Sequence, residues 1–343
     1  MYRTILAVLI LSVAFAQSGY HQLKKITIGG EGGWDYLIAD GPSGRIYVSH
    51  GSEVDVVDSK KGEVAGKITE LHGVHGIALA PELNRGFISN GQSNTVTIFD
   101  LKTLAKIGAD IPAGRNPDAI IYDPASKRVF AFNNRGKDAT VIDAEKGAVA
   151  GTVALDGQPE FAAADGKGHV YVNLEDKSAV YDIDSKTLAV AHKWPLAPCE
   201  GPSGMAMDTK TRRIFSGCGN NMVAVMDADS GKVVATAPIG NGVDATAFDP
   251  GTGYVFNSCG GSGTLSVVHE DSADKYTVVE NVKTVPRART MALDTKTHNV
   301  YLSIADFEAA PAAPATPPAD GKPAPRPRPR VVPGSFGLLE YGK

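Results

Sequence analysis

A repeat of about 42 residues runs through this chain and constrains its fold more than any other feature. Seven similar segments align along the sequence, and their last residues lie 40, 43, 42, 43, 41 and 45 positions apart. A fixed period of this length is typical of architectures built from repeated units. The segments are WDYLIAD (34–40), VHGIALA (74–80), PDAIIYD (117–123), PEFAAAD (159–165), PSGMAMD (202–208), VDATAFD (243–249) and ARTMALD (288–294).

Each segment is followed by further short apolar runs that turn residues separate. The first repeat continues with RIYVSH (45–50) and EVDVVD (53–58), and a fourth run is clear in KVVATAPI (232–239). The chain contains 38 glycines and 21 prolines, which favours many tight turns over long helices. Four short β-rich runs in each of seven repeats predict an all-β fold, a seven-bladed β-propeller with four-stranded blades.

The last repeat contains only three strand-like runs. Its first two are separated from the third, SFGLLEY (335–341), by a loop rich in proline and alanine at 309–333. We expect the missing strand to come from QLKKITI (22–28), because pairing the two ends would close the ring and leave no open sheet edge. The predicted organisation is one propeller domain over 17–343, with the Pro-rich loop inserted in the last blade.

The first sixteen residues have the pattern of a secretory signal peptide. A basic start, Met1–Arg3, precedes an apolar stretch that ends in Ala14-Phe15-Ala16. This stretch is too short to span a membrane, and no later run is long enough. The sequence therefore predicts a periplasmic or secreted protein without a transmembrane span.

An exported protein can form disulfides, and this chain has three cysteines. Cys218 and Cys259 occupy equivalent positions in adjacent repeats, and packed sheets lie about 10 Å apart, too far for a bridge. Cys199 lies in the loop that enters the blade holding Cys218. We therefore predict a Cys199–Cys218 disulfide and a free Cys259.

Several second strands also resemble a known repeat. The runs IYVSH, VYVNL and GFISN are similar to the Tyr-Val-Thr-Asn repeat. The chain thus resembles the YncE-like family of secreted bacterial seven-bladed propellers over nearly its whole length after the signal peptide. The resemblance implies the fold and export, but it leaves the activity open.

The second residue of each inner strand should lie at the top of the central channel, where binding residues collect on such a scaffold. We call these seven residues the channel ring. They are Asp35, His75, Asp118, Glu160, Ser203, Asp244 and Arg289. Four further polar residues should lie just above the ring, on the rim, as ligand-binding candidates. They are His72, Arg115, Glu200 and Arg287.

Four acids in one narrow mouth should repel each other, which favours a bound divalent cation. Oxygen ligands with one imidazole suit calcium, magnesium or manganese, and zinc less well. The metal-ligand candidates are Asp35, His75, Asp118, Glu160 and Asp244. His75 is also a candidate proton carrier, and Arg289 could hold an anionic oxygen. The alternative is a water-filled polar channel whose charges pair with one another.

Three functions remain open at this level. A cation at the mouth would suit a metal-dependent hydrolase of esters, lactones or phosphotriesters, and the geometry resembles that of the calcium-dependent paraoxonase and diisopropyl-fluorophosphatase group. Those propellers have six blades and use asparagine beside acids, unlike this chain. The alternatives are a non-catalytic propeller that binds a ligand or partner, and a structural surface protein. We expect a monomer that binds a small molecule at its top face. A net charge of −4 argues against nucleic acid as the main partner.

Overall fold

The computed structural model describes residues 18–309 and 329–343, which form seven four-stranded antiparallel sheets. The inner strands of neighbouring sheets contact each other around a ring, and the inner strand of the last sheet contacts that of the first. The chain is therefore a seven-bladed β-propeller, as the repeat predicts. The predicted signal peptide (1–16) and positions 310–328 of the Pro-rich loop lie outside the described residues.

The strands follow the repeats closely. Strand β1 (His21–Thr27) belongs to the last blade. Blades 1 to 3 contain β2 (Trp34–Asp40), β3 (Arg45–His50), β4 (Glu53–Asp58), β5 (Glu63–Ile68), β6 (Val74–Ala80), β7 (Arg85–Asn90), β8 (Thr95–Asp100), β9 (Ile111–Pro112), β10 (Pro117–Asp123), β11 (Arg128–Asn133), β12 (Asp138–Asp143) and β13 (Ala148–Ala154). Blades 4 and 5 contain β14 (Pro159–Ala164), β15 (His169–Leu174), β16 (Ala179–Asp184), β17 (Val190–Pro195), β18 (Pro202–Asp208), β19 (Arg213–Cys218), β20 (Met222–Asp227) and β21 (Val233–Pro238). Blades 6 and 7 contain β22 (Val243–Asp249), β23 (Tyr254–Cys259), β24 (Thr264–Ser272), β25 (Lys275–Lys283), β26 (Met291–Asp294), β27 (Asn299–Ile304) and β28 (Gly337–Gly342).

Two single-turn 3₁₀ helices, Pro81–Leu83 and Glu175–Lys177, complete the regular structure of the described residues. Among those residues, no helix has the length and apolar character needed to cross a membrane.

The N-terminal strand closes the ring. β1 pairs antiparallel with β28, from His21 opposite Gly342 to Thr27 opposite Gly337, and the sheet order is β1-β28-β27-β26. Ile26 is fully buried in this sheet, so the closing strand contributes to the core as well as to the ladder. The predicted closure is confirmed.

An aromatic ring at the third position of each second strand fills the space between blades. All seven are fully buried, and burial of such large apolar side chains dominates the packing energy of a core. The residues are Tyr47, Phe87, Phe130, Tyr171, Phe215, Phe256 and Tyr301. Because the same position repeats in every blade, the core is a belt of blade interfaces around the channel.

The lower turns are held by aspartates at the ends of strands. The carboxylate of Asp58 accepts backbone N–H bonds of 3.0 Å from both Lys60 and Lys61, and Asp100, Asp143, Asp184 and Asp227 repeat the pattern. Hydrogen bonds to the charged form keep the pKa of these carboxyls below its usual value; backbone N–H groups donate most of them, and at Asp227 the hydroxyl of Ser230 contributes most.

The inner strand of blade 7 differs from the prediction. It begins at Met291 instead of position 288, so Arg289 lies in the loop before the strand. Arg287 has a left-handed φ of 73°, and its N–H donates to the carbonyl of Gly260 in blade 6. The turn at Pro286 and the hydrogen bond to Gly260 hold this segment outside the strand pairing of blade 7.

The cysteines pair as predicted. Cys199 and Cys218 form a disulfide with Cα atoms 5.5 Å apart, and Cys259 is free and buried.

Candidate functional site

A β-bulge places the channel-ring residue in six of the seven inner strands. In blade 1 the pairing of β2 with β3 skips the residues between Trp34 and Leu37, and in blade 2 it skips those between Val74 and Ile77. A bulge leaves its extra residue unpaired and redirects its side chain. The remaining bulges lie between Pro117 and Ile120, Pro159 and Ala162, Pro202 and Met205, and Val243 and Thr246.

Serines on the second strands satisfy the backbone groups that the bulges release. The hydroxyl of Ser49 accepts a 2.9 Å hydrogen bond from the backbone N–H of Asp35, and that of Ser89 accepts one of 2.7 Å from Gly76. Such buried backbone donors need a partner, so these hydroxyls stabilise the bulged conformation. The channel-ring side chains are thus held by strands, not by free loops.

Three channel-ring side chains come together at one side of the mouth. Nδ1 of His75 donates a 2.6 Å hydrogen bond to Oδ2 of Asp35, and it lies 3.7 Å from Oδ1 of Asp118. One ligand atom from each residue lies within 4.8 Å of the others. We call Asp35, His75 and Asp118 the mouth cluster. Its three residues come from consecutive blades 1, 2 and 3.

The other predicted ligands lie apart from the mouth cluster. Glu160 accepts a 3.0 Å hydrogen bond from Nδ2 of Asn134, and Oδ1 of Asp244 lies 3.9 Å from the guanidinium of Arg289. Oδ2 of Asp244 is buried and has no hydrogen-bond partner among the described residues. Ser203 donates to the backbone carbonyl of Asp244 at 3.0 Å. Asp118 and Asp244 thus have only long ion-pair contacts, of 3.7 Å to His75 and 3.9 Å to Arg289, and among the described residues Glu160 has no ion-pair partner.

Burial raises the pKa of three of these carboxyls. Burial, together with the negative charge of Asp35, raises the pKa of Asp118 to about 7. Burial and the charge of Asp118 raise the pKa of Glu160 to about 8. Burial also raises the pKa of Asp244 to about 6, although Arg289 opposes that increase. A cation at the mouth would offset the cost of ionising these groups.

The pKa of His75 is raised as well, which favours the charged form of this side chain, whereas the raised pKa values of the acids favour their neutral form. Burial on its own would lower the pKa of this imidazole, but the hydrogen bond to Asp35 and the charge of Asp118 raise it overall. Nδ1 of His75 therefore faces two carboxylates, at 2.6 Å from Asp35 and 3.7 Å from Asp118.

Two aromatic rings meet in the channel below the carboxyls. The ring centroids of Tyr36 in blade 1 and Phe161 in blade 4 are 4.5 Å apart, so they meet across the channel. Gly76 occupies the equivalent position in blade 2, where a Cβ would lie 2.8 Å from the carbonyl oxygen of Asp118. Burial and the nearby carboxylates raise the pKa of Tyr36 well above its usual value, so the phenol stays neutral. These two rings therefore form part of the channel floor beneath the carboxyls.

The mouth opens into three neighbouring cavities on the top face. One of about 570 Å³ is lined by Asp35, His75, His72 and Arg289. Another of about 610 Å³ is lined by Asp244, Arg287 and Arg289, and a third of about 490 Å³ by His75 and Arg115. Glu200 is exposed on the loop before β18 and lines none of these three. All four rim candidates are exposed, and three of them border a cavity.

Several residues at the site escape the repeat analysis. Asn134 and Arg135 follow β11 and face Glu160 and His75, while Trp34 and Phe307 line the largest cavity. The repeat comparison does not single them out, because it considers the second residue of each inner strand alone. Phe307 also lies in a loop that has no equivalent in the other blades.

A second group of histidine and acids lies within blade 1, in β3 and β4, and is already neutralised. Nδ1 of His50 donates a 2.9 Å bond to Asp55, and the ammonium of Lys67 lies 2.7 Å from Glu53 and 3.1 Å from Asp55. Because the lysine provides the positive charge, this group does not call for a metal.

Fold and site together define the class: a seven-bladed β-propeller with a floored channel and an acid-rich mouth. No protein-family model matches the chain. It is similar to Antigen Lp49 of Leptospira interrogans serogroup Icterohaemorrhagiae serovar copenhageni (strain Fiocruz L1-130), with 27% identity over 198 residues. The match covers 53% of this chain and only 41% of Lp49. Among solved structures, a chain of Kuenenia stuttgartiensis hydrazine synthase superposes with a TM-score of 0.69 over 85% of this chain and 95% of its own, at 15% identity, which shows the fold alone.

Proposed function

We propose that this protein is an exported propeller that holds a divalent cation at the mouth cluster and binds a small ligand above it. The observation that carries the proposal is the convergence of ligand atoms from Asp35, His75 and Asp118 within 4.8 Å of one another. The two carboxylates offer the oxygen ligands that calcium, magnesium and manganese prefer. Water and the ligand would complete the coordination shell.

Three features support this assignment over a self-paired polar channel. The positive groups at the ring do not match its acids: among the described residues Arg289 forms an ion pair with Asp244 alone, at 3.9 Å, and His75 is shared between two carboxylates. The bulges and serine hydroxyls fix the cluster before any ligand arrives, which reduces the entropy cost of binding. The open cavity of about 570 Å³ above it has the size of a small-molecule site.

Export is supported by two independent features. The sequence pattern of residues 1–16 is that of a signal peptide, and the Cys199–Cys218 disulfide is compatible with an oxidising compartment. We therefore propose a periplasmic or secreted location, and membership of the YncE-like family as the resemblance of its repeats implies. A monomer remains our expectation.

A metal-dependent hydrolase of esters, lactones or phosphotriesters is the second candidate. It is favoured by the position of Arg289, which lines both the cavity holding Asp35 and His75 and the cavity holding Asp244. A guanidinium there can stabilise an oxygen that becomes negative in the transition state. The cation would polarise the carbonyl or phosphoryl group, and His75 or Glu160 would be placed to move a proton.

Metal analysis tests the first proposal. Protein purified without chelator should contain about one calcium, magnesium or manganese per chain by mass spectrometry, or should take one up in calorimetric titration after treatment with EDTA. Absence of uptake of all these ions, and of zinc, would reject the cation site. A screen of chromogenic esters, lactones and phosphotriesters on the loaded protein then separates hydrolysis from binding.

A further inference from the structure

The largest of the three cavities described above lies beside the mouth cluster, between blades 6, 7 and 1. It has a volume of about 610 Å³ and is lined by Trp34, Phe307, Arg287 and Arg289 together with a wall of glycines. We call it the Trp34 pocket. This volume is in the range of pockets that enclose small organic molecules.

Two arginines give the Trp34 pocket its charge. The Arg287 guanidinium carbon lies 4.3 Å from the ring centroid of Phe307, and Arg289 approaches Asp244 no closer than 3.9 Å. Within the described residues, neither guanidinium donates a hydrogen bond to a protein acceptor, and Asp244 is the one acid in the lining. Guanidinium forks with free donors recognise carboxylate and phosphate oxygens, in two parallel bonds where geometry permits.

Two flat aromatic side chains form the apolar side of the pocket. The Trp34 ring stacks on Phe336 with centroids 5.0 Å apart, and Phe307 lies 6.1 Å from Trp34 at a tilt of 49°. Phe307 is held in place because it pairs with Val331, and the N–H of Val332 donates to the carbonyl of Asp306 at 2.8 Å. Rings fixed in this way bind another ring at a small entropy cost.

The opposite wall stays open because it consists of glycines. A Cβ on Gly260 would lie 2.8 Å from Cβ of Arg289, and one on Gly261 would lie 2.8 Å from Oδ1 of Asn241. Side chains at both positions would clash with the neighbouring loops, so the pocket is lined there by backbone alone.

We propose that the Trp34 pocket binds an organic anion that carries an aromatic ring. The ring would lie on Trp34 and Phe307, and the carboxylate or phosphonate head would pair with Arg287 and Arg289. The inference rests on the proposed function in one respect, that the top face binds a small ligand. The inference adds the chemical class of that ligand. Because Arg289 also lines the cavity of the mouth cluster, the anionic head of the ligand would point toward the proposed cation site.

Tryptophan fluorescence provides a direct test. The chain contains two tryptophans, so Trp194→Phe leaves Trp34 as the one reporter. The full chain in this background is titrated with phenylphosphonate, methylphosphonate and benzyl alcohol, each in EDTA and again in calcium. We expect a saturable change in Trp34 emission with phenylphosphonate in both conditions, and binding at least tenfold weaker for the two probes that lack the ring or the charge.

Variants distinguish the pocket from general charge attraction. Arg287→Gln and Phe307→Leu should each weaken phenylphosphonate binding about tenfold, the range of one charged hydrogen bond or one stacked ring. Lys283→Gln, which removes an exposed positive charge from the nearby end of β25, should leave it unchanged. Thermal melting checks that each variant folds.

The outcomes separate this inference from the proposed function. Equal affinity for phenylphosphonate and methylphosphonate, no response to phenylphosphonate, or an equal loss in Lys283→Gln overturns the pocket but leaves a measured cation site standing. Binding of phenylphosphonate in EDTA by a protein that takes up no metal supports the pocket and rejects the cation proposal.

Discussion

The imidazole of His75 in blade 2 donates a 2.6 Å hydrogen bond to the carboxylate of Asp35 in blade 1. This contact joins two neighbouring blades at the channel mouth and places the ring nitrogen beside a third ligand candidate, Asp118, at 3.7 Å. A proton on one nitrogen cannot neutralise two carboxylates. The resulting excess of negative charge leads to the first prediction.

Asp118→Asn should abolish the stabilisation by cations and leave the metal-free protein at least as stable as the parent. The amide keeps the shape of the side chain but removes one of two clustered negative charges, so repulsion falls while a ligand is lost. For the parent, a cation at 100 times its dissociation constant should add about 2.7 kcal/mol to the free energy of unfolding. Differential scanning calorimetry in EDTA and in calcium or manganese measures both quantities.

Ser203→Ala is the matched control for that measurement. Ser203 occupies the same ring position in blade 5, and its hydroxyl donates to the backbone carbonyl of Asp244, its one partner in the described part of the chain. Its loss should cost about 1 kcal/mol in EDTA and in cation alike, since one neutral hydrogen bond is removed. An Asp118→Asn protein that keeps the full cation response would contradict the assignment of the mouth cluster.

The stability of the cation-free protein should fall as the pH rises from about 4.5 to about 8. The pKa of Glu160 is about 8 in the folded protein, against a usual value of 4.5. Between these values the folded chain keeps a proton that the unfolded chain has released, so the free energy of unfolding decreases with pH, by at most about 1.4 kcal/mol per pH unit for one proton. Partial exposure of the carboxyl reduces this slope.

Glu160→Gln should flatten that pH profile, because its amide stays neutral and can still accept the bond from Asn134. Denaturant unfolding in EDTA at several pH values compares the two proteins. Parallel profiles for parent and variant would show that the Glu160 carboxyl does not titrate as described.

Cys199→Ala should lower the free energy of unfolding by about 3 kcal/mol, because the disulfide closes a loop with a sequence separation of 19 residues in the unfolded chain. In the parent protein, one thiol per chain, that of buried Cys259, should react with a thiol reagent, and only after denaturation. Peptide mapping without reduction checks the pairing. A bridge that contains Cys259 in the parent would refute it.

The repeat alone predicts the blade number and the closing strand, because strand periodicity and turn residues act locally and recur seven times. It also identifies the channel-ring residues by comparing equivalent positions. It does not predict the bulge that turns Asp35 toward His75, since a change of register depends on the hydroxyl of Ser49 in the next strand. The meeting of Tyr36 and Phe161 across the channel follows only from closure of the ring. The same holds for Trp34 and Phe307, which come from opposite ends of the chain.

Deletion of residues 18–29 should cause aggregation and a large loss of thermal stability. It removes β1, exposes the edge of β28 to pairing with other chains and leaves a gap where Ile26 is buried. Deletion of residues 310–328 is the matched control: the flanking N–H of Glu308 and carbonyl of Arg330 are bonded at 2.9 Å, so a short glycine linker can join the two ends. That tract is proline-rich and carries few groups able to form a core, so its removal should leave the melting temperature nearly unchanged. Light scattering and thermal melting of the two deletions, side by side with the parent, make the comparison, and a first deletion that melts like the parent would show that β1 does not hold the ring closed.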